Sequence, residues 1–161
     1  MMMKSKNEIC VFRRRSPVAL SPAEVRRIAQ EVLESRGILG AELCFLFTDN
    51  REIRKYNRMF REVDRPTDII AFPIDEPLGH GLVYLGDIII STEQAAFQAG
   101  ERGIRVEREI GILIIHGVLH LLGLDHETDK GEMRCLEYRL RKKILTPKRS
   151  SKDRSVTKKS R

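Results

Sequence analysis

The sequence predicts an α/β (α+β) domain, a small mixed sheet packed with helices, on three observations. Segments with a helical repeat of apolar residues alternate with short β-branched and aromatic runs, in the order β-α-β-α-β-β-α-α-α. One late helix, Val106 to Leu122, is apolar almost all round, which puts it inside the body. The charge is segregated: of the net +7 on 161 residues, +6 falls after Leu145, where seven basic residues face Asp153 alone. Residues 1–145 therefore read as one near-neutral domain, and 146–161 as a basic tail with too little apolar surface to fold.

Taken in order, Glu8 to Arg13 is a short strand. Ser21, Pro22 and Glu24 form an N-terminal capping box, followed by Val25, Ile28, Ala29, Val32 and Leu33 at helical spacing, and Gly37 ends the helix. Residues 42–47 are a strand expected to be buried on both faces. Thr48 or Asp49 caps a second helix running to about Met59. The polar stretch FREVDRPTD leads to a short apolar run, IIAFP, and a Pro/Gly loop, DEPLGHG, that leaves His80 on the surface. Residues 82–90 are the best strand, expected at an edge of the sheet. Asp87 inside it calls for a specific structural partner. Ser91 or Thr92 caps a helix to about Gly100, and two helices follow, Val106 to Leu122 and about Asp129 to Ile144, with Met133 in the core of the last.

Cys10, Cys44 and Cys135 are odd in number, widely spaced and without a C-x-x-C pair, which suits reduced thiols in a cytoplasmic protein. No leader-like apolar stretch follows MMMKSKNEIC, and the window Ile110 to Leu124 is too short to span a bilayer, so no membrane association is expected.

The stretch HGVLHLLGLDH, His116 to His126, holds three of the four histidines. His116 and His120 are four apart, on one helix face, with Cβ atoms about 6 Å apart. Were the helix to continue, His126 would lie ~15 Å along the axis from His116. Gly123 can take the left-handed conformation that ends a helix and turns the chain back. Burying three imidazoles without partners would cost several kcal/mol. The pattern therefore points to a metal held by His116, His120 and His126 with an open fourth position, most simply zinc, although nickel, copper or iron also suit imidazole. The spacing matches the metzincin pattern H-E-x-x-H-x-x-G-x-x-H except that Gly117 replaces the glutamate that serves those peptidases as base. Peptide hydrolysis by that route has lost its base.

The same stretch resembles the H-G-x-L-H-L-x-G-y-D-H motif of the YbeY family, bacterial endoribonucleases of rRNA maturation. NRMFREVDRPTDIIAFP resembles that family's N-x-x-(Y/F)-R-x-x-D-x-P-T-D-V-L-S-F-P segment, and LGDIIIS its L-G-D-I-x-I-S strand. Ala71 stands where serine is usual and Leu124 where tyrosine is usual; the basic tail lies outside the resemblance. The resemblance implies a zinc ion on His116, His120 and His126, and action on single-stranded RNA. It also implies roles in small-subunit rRNA 3′-end processing and ribosome quality control, and an important arginine, Arg61. Arginine's planar fork suits phosphate, so Arg61 is expected to clamp the scissile phosphate beside the metal; the alternative is a surface ion pair with Glu62 or Asp64. Asp125 is a candidate catalytic residue, an acceptor orienting a histidine ring, or a cap for the next turn. Thr67 and Asp68 suit turn and strand entry. The tail is either an arm for a polyanion such as RNA or a solubilising terminus. Two other functions compete: a metallopeptidase-like hydrolase, and a non-catalytic ribosome-associated RNA-binding factor with a structural metal.

Overall fold

The computed structural model describes residues 6–15, 17 and 19–146. The strands are β1 (Glu8–Arg13), β2 (Ala41–Thr48), β3 (Ile69–Gly79) and β4 (Leu82–Ser91). The helices are α1 (Pro22–Ser35), α2 (Asn50–Arg61), α3 (Thr92–Arg102), α4 (Val106–Leu121) and α5 (Glu132–Leu145). The sheet order is β1-β2-β4-β3, with β1, β2 and β4 parallel and β3 antiparallel to β4. The expected mixed sheet and element order are thus what forms. The tail expected over 146–161 lies, apart from Thr146, outside the described residues. Among those residues, no helix is long and apolar enough to cross a membrane.

Three expectations need correction. Strand β4 is interior, and β3 is the edge strand beside it. The DEPLGHG stretch is mostly strand: β3 runs on to Gly79 and turns through His80 and Gly81 into β4. Its prolines are tolerated because an edge strand leaves some N–H groups unpaired. Strand β2 alternates between buried and half-buried residues, because α2 covers the second sheet face only in part.

The sheet separates two cores. On one face α1, α4 and α5 bury Phe45, Phe47, Ile88 and Ile90 with their own apolar residues. On the other, α2 sets Ile53 against Ile70 and Ile89. Alternation along the strands sends successive side chains to opposite faces, and the helical repeat of α1 supplies the matching stripe. The Ser21 hydroxyl accepts from the Glu24 N–H at 3.2 Å, but the Glu24 carboxylate binds Arg27 at 3.1 Å, so only half of the capping box forms.

Two buried carboxylates fix the helices that matter for the site. Glu52 of α2 accepts from Arg14 at 2.7 Å and from Thr48 at 2.8 Å, which ties α2 to the ends of β1 and β2. Burial pushes Glu52 up, but these two bonds and the nearby arginine charges outweigh it and hold it below the usual carboxylate range. Glu109 of α4 is fully buried and accepts from Arg102 of α3 at 2.9 and 3.0 Å. A buried charge without that partner would be strongly destabilising, so the pair sets the position of α4 against α3.

Candidate metal centre

Helix α4 packs in the middle of the molecule, with ten residues between Ile110 and Leu121 buried and His116 and His120 partly open. The two imidazoles lie edge to face with centroids 4.4 Å apart. After His120 the helix closes as a Schellman motif. The Leu124 N–H bonds the Leu119 carbonyl at 3.1 Å, and the Gly123 N–H bonds that of His120 at 3.0 Å. Gly123 sits at φ +86°, a conformation that costs a residue with a Cβ. The reversal brings the His126 ring to 5.5 Å from that of His116, nearly parallel to it. His116 therefore has both other rings of the motif beside its own.

A fourth group completes the cluster, and the sequence reading missed it. Glu137 of α5 is buried, and its Oε1 lies 2.6 Å from His116 Nδ1 and 3.2 Å from His126 Nε2. Donor atoms of His116, His126 and Glu137 all lie within 4.8 Å of one another. His120 stands outside that tightest group, beside His116. Burial pushes the Glu137 carboxyl up, but the hydrogen bonds and charges of His116 and His126 outweigh this and hold it below the usual range. Burial, and then repulsion from His116, pulls His120 down, so its imidazole is kept neutral with a lone pair to offer. Three imidazoles and one buried, ionised carboxylate form a donor set that fits a divalent transition metal. Glu137 is placed to serve either as a ligand itself, with His116 and His126, or as the acceptor that fixes the His116 ring through Nδ1. The only available signal was its place one turn after Met133 on the buried stripe of α5.

The approach of α5 depends on Asp129, which accepts from the N–H groups of Gly131 at 2.9 Å and Met133 at 2.7 Å. Those backbone bonds hold its carboxyl below the usual range. Met133 is fully buried, as expected, and Glu137 follows on the same face.

Two members of the cluster, His116 and His120, line a cavity of about 400 Å³ together with Arg61, Thr67, Asp68 and Pro73. Arg61, the last residue of α2, is exposed and has no ion-pair partner among the described residues, while Asp64 pairs with Arg54 at 2.9 Å. The expected alternative, an Arg61 ion pair with Glu62 or Asp64, is absent there. Asp68 accepts from the Ile69 N–H at 2.8 Å, the strand-entry role expected of it. Asp125 accepts from the Glu127 N–H at 3.0 Å and so caps the turn that contains His126; the carboxylate beside the His116 and His126 rings is that of Glu137. Asp87 has its partner in the Tyr84 hydroxyl, on the far face of the sheet. That face holds a larger cavity, about 780 Å³, with Phe12, Cys44, Phe60, Phe72 and Asp87 in its walls and no histidine of the cluster.

The departure at Gly117 has a packing cause. A Cβ there would stand 2.9 Å from Ile69 Cδ1 and 3.0 Å from Ile88 Cγ2. The position faces the sheet across a close helix–sheet contact, where any side chain would have to displace the Ile69 and Ile88 side chains.

Comparison with known proteins agrees with this architecture. The family described as Endoribonuclease YbeY matches residues 12–145. A relative from Solibacter usitatus (strain Ellin6076), named Endoribonuclease YbeY, is 42% identical over 145 residues, 90% of this chain and 94% of its own. Another so named, from Aquifex aeolicus (strain VF5), is 39% identical over 124 residues, 77% of this chain and 81% of its own. The solution structure of TM1509 from Thermotoga maritima shares the fold, with a TM-score of 0.60 at 24% identity over 95% of this chain and 99% of that one. With the histidine motif, the Arg61 segment and the β4 strand all inside the matched span, the chain belongs to the Endoribonuclease YbeY family.

Proposed function

We propose that this protein is a zinc-dependent endoribonuclease of the cytoplasm, cutting single-stranded RNA in small-subunit rRNA 3′-end processing and ribosome quality control, in contact with the ribosome. The observation that carries the reading is the position of Arg61: an arginine without an ion-pair partner among the described residues shares one cavity with His116 and His120.

His116, His120 and His126 would hold the ion, with Glu137 fixing the His116 ring through Nδ1. Bound there, a zinc ion supplies Lewis acidity. Arg61 binds two oxygens of the scissile phosphate through its guanidinium fork and balances the charge that grows on them. A water oxygen adds to phosphorus, the P–O bond to the leaving ribose oxygen breaks, and the water's proton ends on that oxygen. Asp125 contributes by fixing the turn that delivers His126.

The test is metal content and cleavage of a single-stranded oligoribonucleotide by four proteins. Wild type should carry about one zinc and His120→Ala should lose it. Arg61→Ala should keep the metal and lose roughly 10²–10³-fold in kcat, as for other groups that stabilise developing charge. Asp125→Asn keeps an acceptor for the Glu127 N–H and should retain activity; loss of activity with metal kept would make Asp125 a proton-transfer group instead. Metal-free wild type, or cleavage untouched in both Arg61→Ala and His120→Ala, would overturn the reading.

A further inference from the structure

Helix α2 carries Arg51, Arg54, Lys55, Arg58 and Arg61, each three or four residues from another of the set. That spacing sets all five on one stripe of the helix, ~15 Å long at the helical rise. All five residues are exposed. The opposite side holds the buried Ile53, Asn57 and Glu52. Glu52 is the one acid of the helix, and its carboxylate is taken up by Arg14 and Thr48. Among the described residues only Arg54 of the five has a carboxylate partner, Asp64.

The fold does not benefit from this stripe. Arg51 with Lys55, and Arg54 with Arg58, are like charges one turn apart, which destabilises a helix. Arg51 also stands in the first turn, where a cation opposes the helix dipole. Arg58 and Arg61 complement the other end, but the first three do not. The stripe ends at the candidate metal centre, because Arg61 is its last residue and lines that cavity. A surface hollow lined by Arg51, Arg54, Lys55, Arg58, Asp64 and Pro66 stops one residue short of Thr67, which lines the cavity with Arg61. The loop between them is fixed by the Asn57 side chain, which donates to the Arg65 carbonyl at 2.9 Å.

We propose that the exposed face of α2 is the track along which the phosphate backbone of single-stranded RNA runs into the cavity at Arg61. This rests on the ribonuclease reading above and adds the route of the strand. Arg51, Lys55 and Arg58 each neutralise a backbone phosphate, without reading sequence, and Arg61 takes the phosphate at the reacting position.

The test compares wild type with the triple variant Arg51→Gln/Lys55→Gln/Arg58→Gln, and with Arg36→Gln/Arg139→Gln/Lys143→Gln, which removes three exposed cations elsewhere. Binding of a fluorescent single-stranded oligoribonucleotide is followed by anisotropy over a KCl series. Each phosphate contact on a single strand contributes about 0.7 to the slope of log affinity against log salt. The α2 variant should therefore lose about 2 from the slope, with KM raised and kcat near wild type, and the second variant should keep the wild-type slope. Its melting temperature should be no lower than wild type, since the removed charges repel one another, so a loss of binding is not a loss of fold. An unchanged slope, or an equal loss in the second variant, overturns the track. A wild type that cleaves while the slope stays unchanged removes the track alone. A wild type that binds but does not cleave removes the ribonuclease reading, and the slope still decides the track.

Discussion

Glu137 sits at the centre of the cluster, between His116 Nδ1 and His126 Nε2, on a helix that the histidine motif does not reach. Its carboxylate is ionised because the two rings outweigh the effect of burial. Glu137→Gln keeps the size and one acceptor but removes the charge. The expected result is a 10–100-fold loss of zinc affinity, read by competition with a chelator, in a protein that still folds. An unchanged affinity would show that the three imidazoles hold the ion without help. The opposite case is Gly117, where the fold favours the absence of a side chain: a Cβ would press on the side chains of Ile69 and Ile88. The base of a metzincin peptidase could be restored there only with those two side chains displaced.

The end of α4 converts a helix into a site. Two histidines one turn apart need only the helical repeat, but the third needs the chain to reverse within three residues. The Schellman closure through Leu124 and Gly123 makes that reversal, with Gly123 at φ +86°. Gly123→Ala keeps every candidate ligand and adds one methyl group in a left-handed conformation, at a cost of about 1–2 kcal/mol. The expected outcome is a fall of that size in urea-unfolding free energy, with weaker zinc binding as His126 is displaced. Stability lost with zinc affinity retained would mean that His126 is not a ligand. Helix α2 works on the same principle from the other side of the sheet. The Glu52 bonds to Arg14 and Thr48 anchor its first turn, and its last residue, Arg61, is thereby presented to the cavity.

The whole fold should respond to acid with a defined sign. Glu52 and Glu137 are held below the ordinary value of 4.5, and Asp129 below 3.8. A carboxyl held down in the folded state binds protons more readily when unfolded. Its stabilisation is complete above the unfolded value and is lost as pH falls through the folded one. His120 follows the same sign from its ordinary value of 6.5, because burial favours its neutral form. Thermal melts should therefore show stability falling first below about 6.5 and again below about 4.5, with the first decline absent in His120→Ala. Melts of wild type that stay flat from pH 7 down to 5 would contradict the burial of His120. Zinc bound to neutral imidazoles would deepen the first decline, since protons compete for the same lone pairs.

Most of the element order was legible because each segment carries its own periodicity and its own caps. Ser21, Asp49 and Ser91 accept from their helix N–H groups as local rules require, and His116, His120, Gly123 and His126 form a motif within eleven residues. Such signals need no long-range contact to be read. The strand order, the interior position of β4 and the run of β3 through Pro73 and Pro77 were not legible, because edge and centre are properties of neighbours. Nor was the Glu137 contact, which joins residues 21 positions apart in sequence through the packing of α5 on α4. The local sequence thus specified three imidazoles, a turn and an arginine. Bringing Arg61 and Glu137 to them from two other helices required a closed core, since only the burial of α2 and α5 against their own neighbours holds those side chains in place.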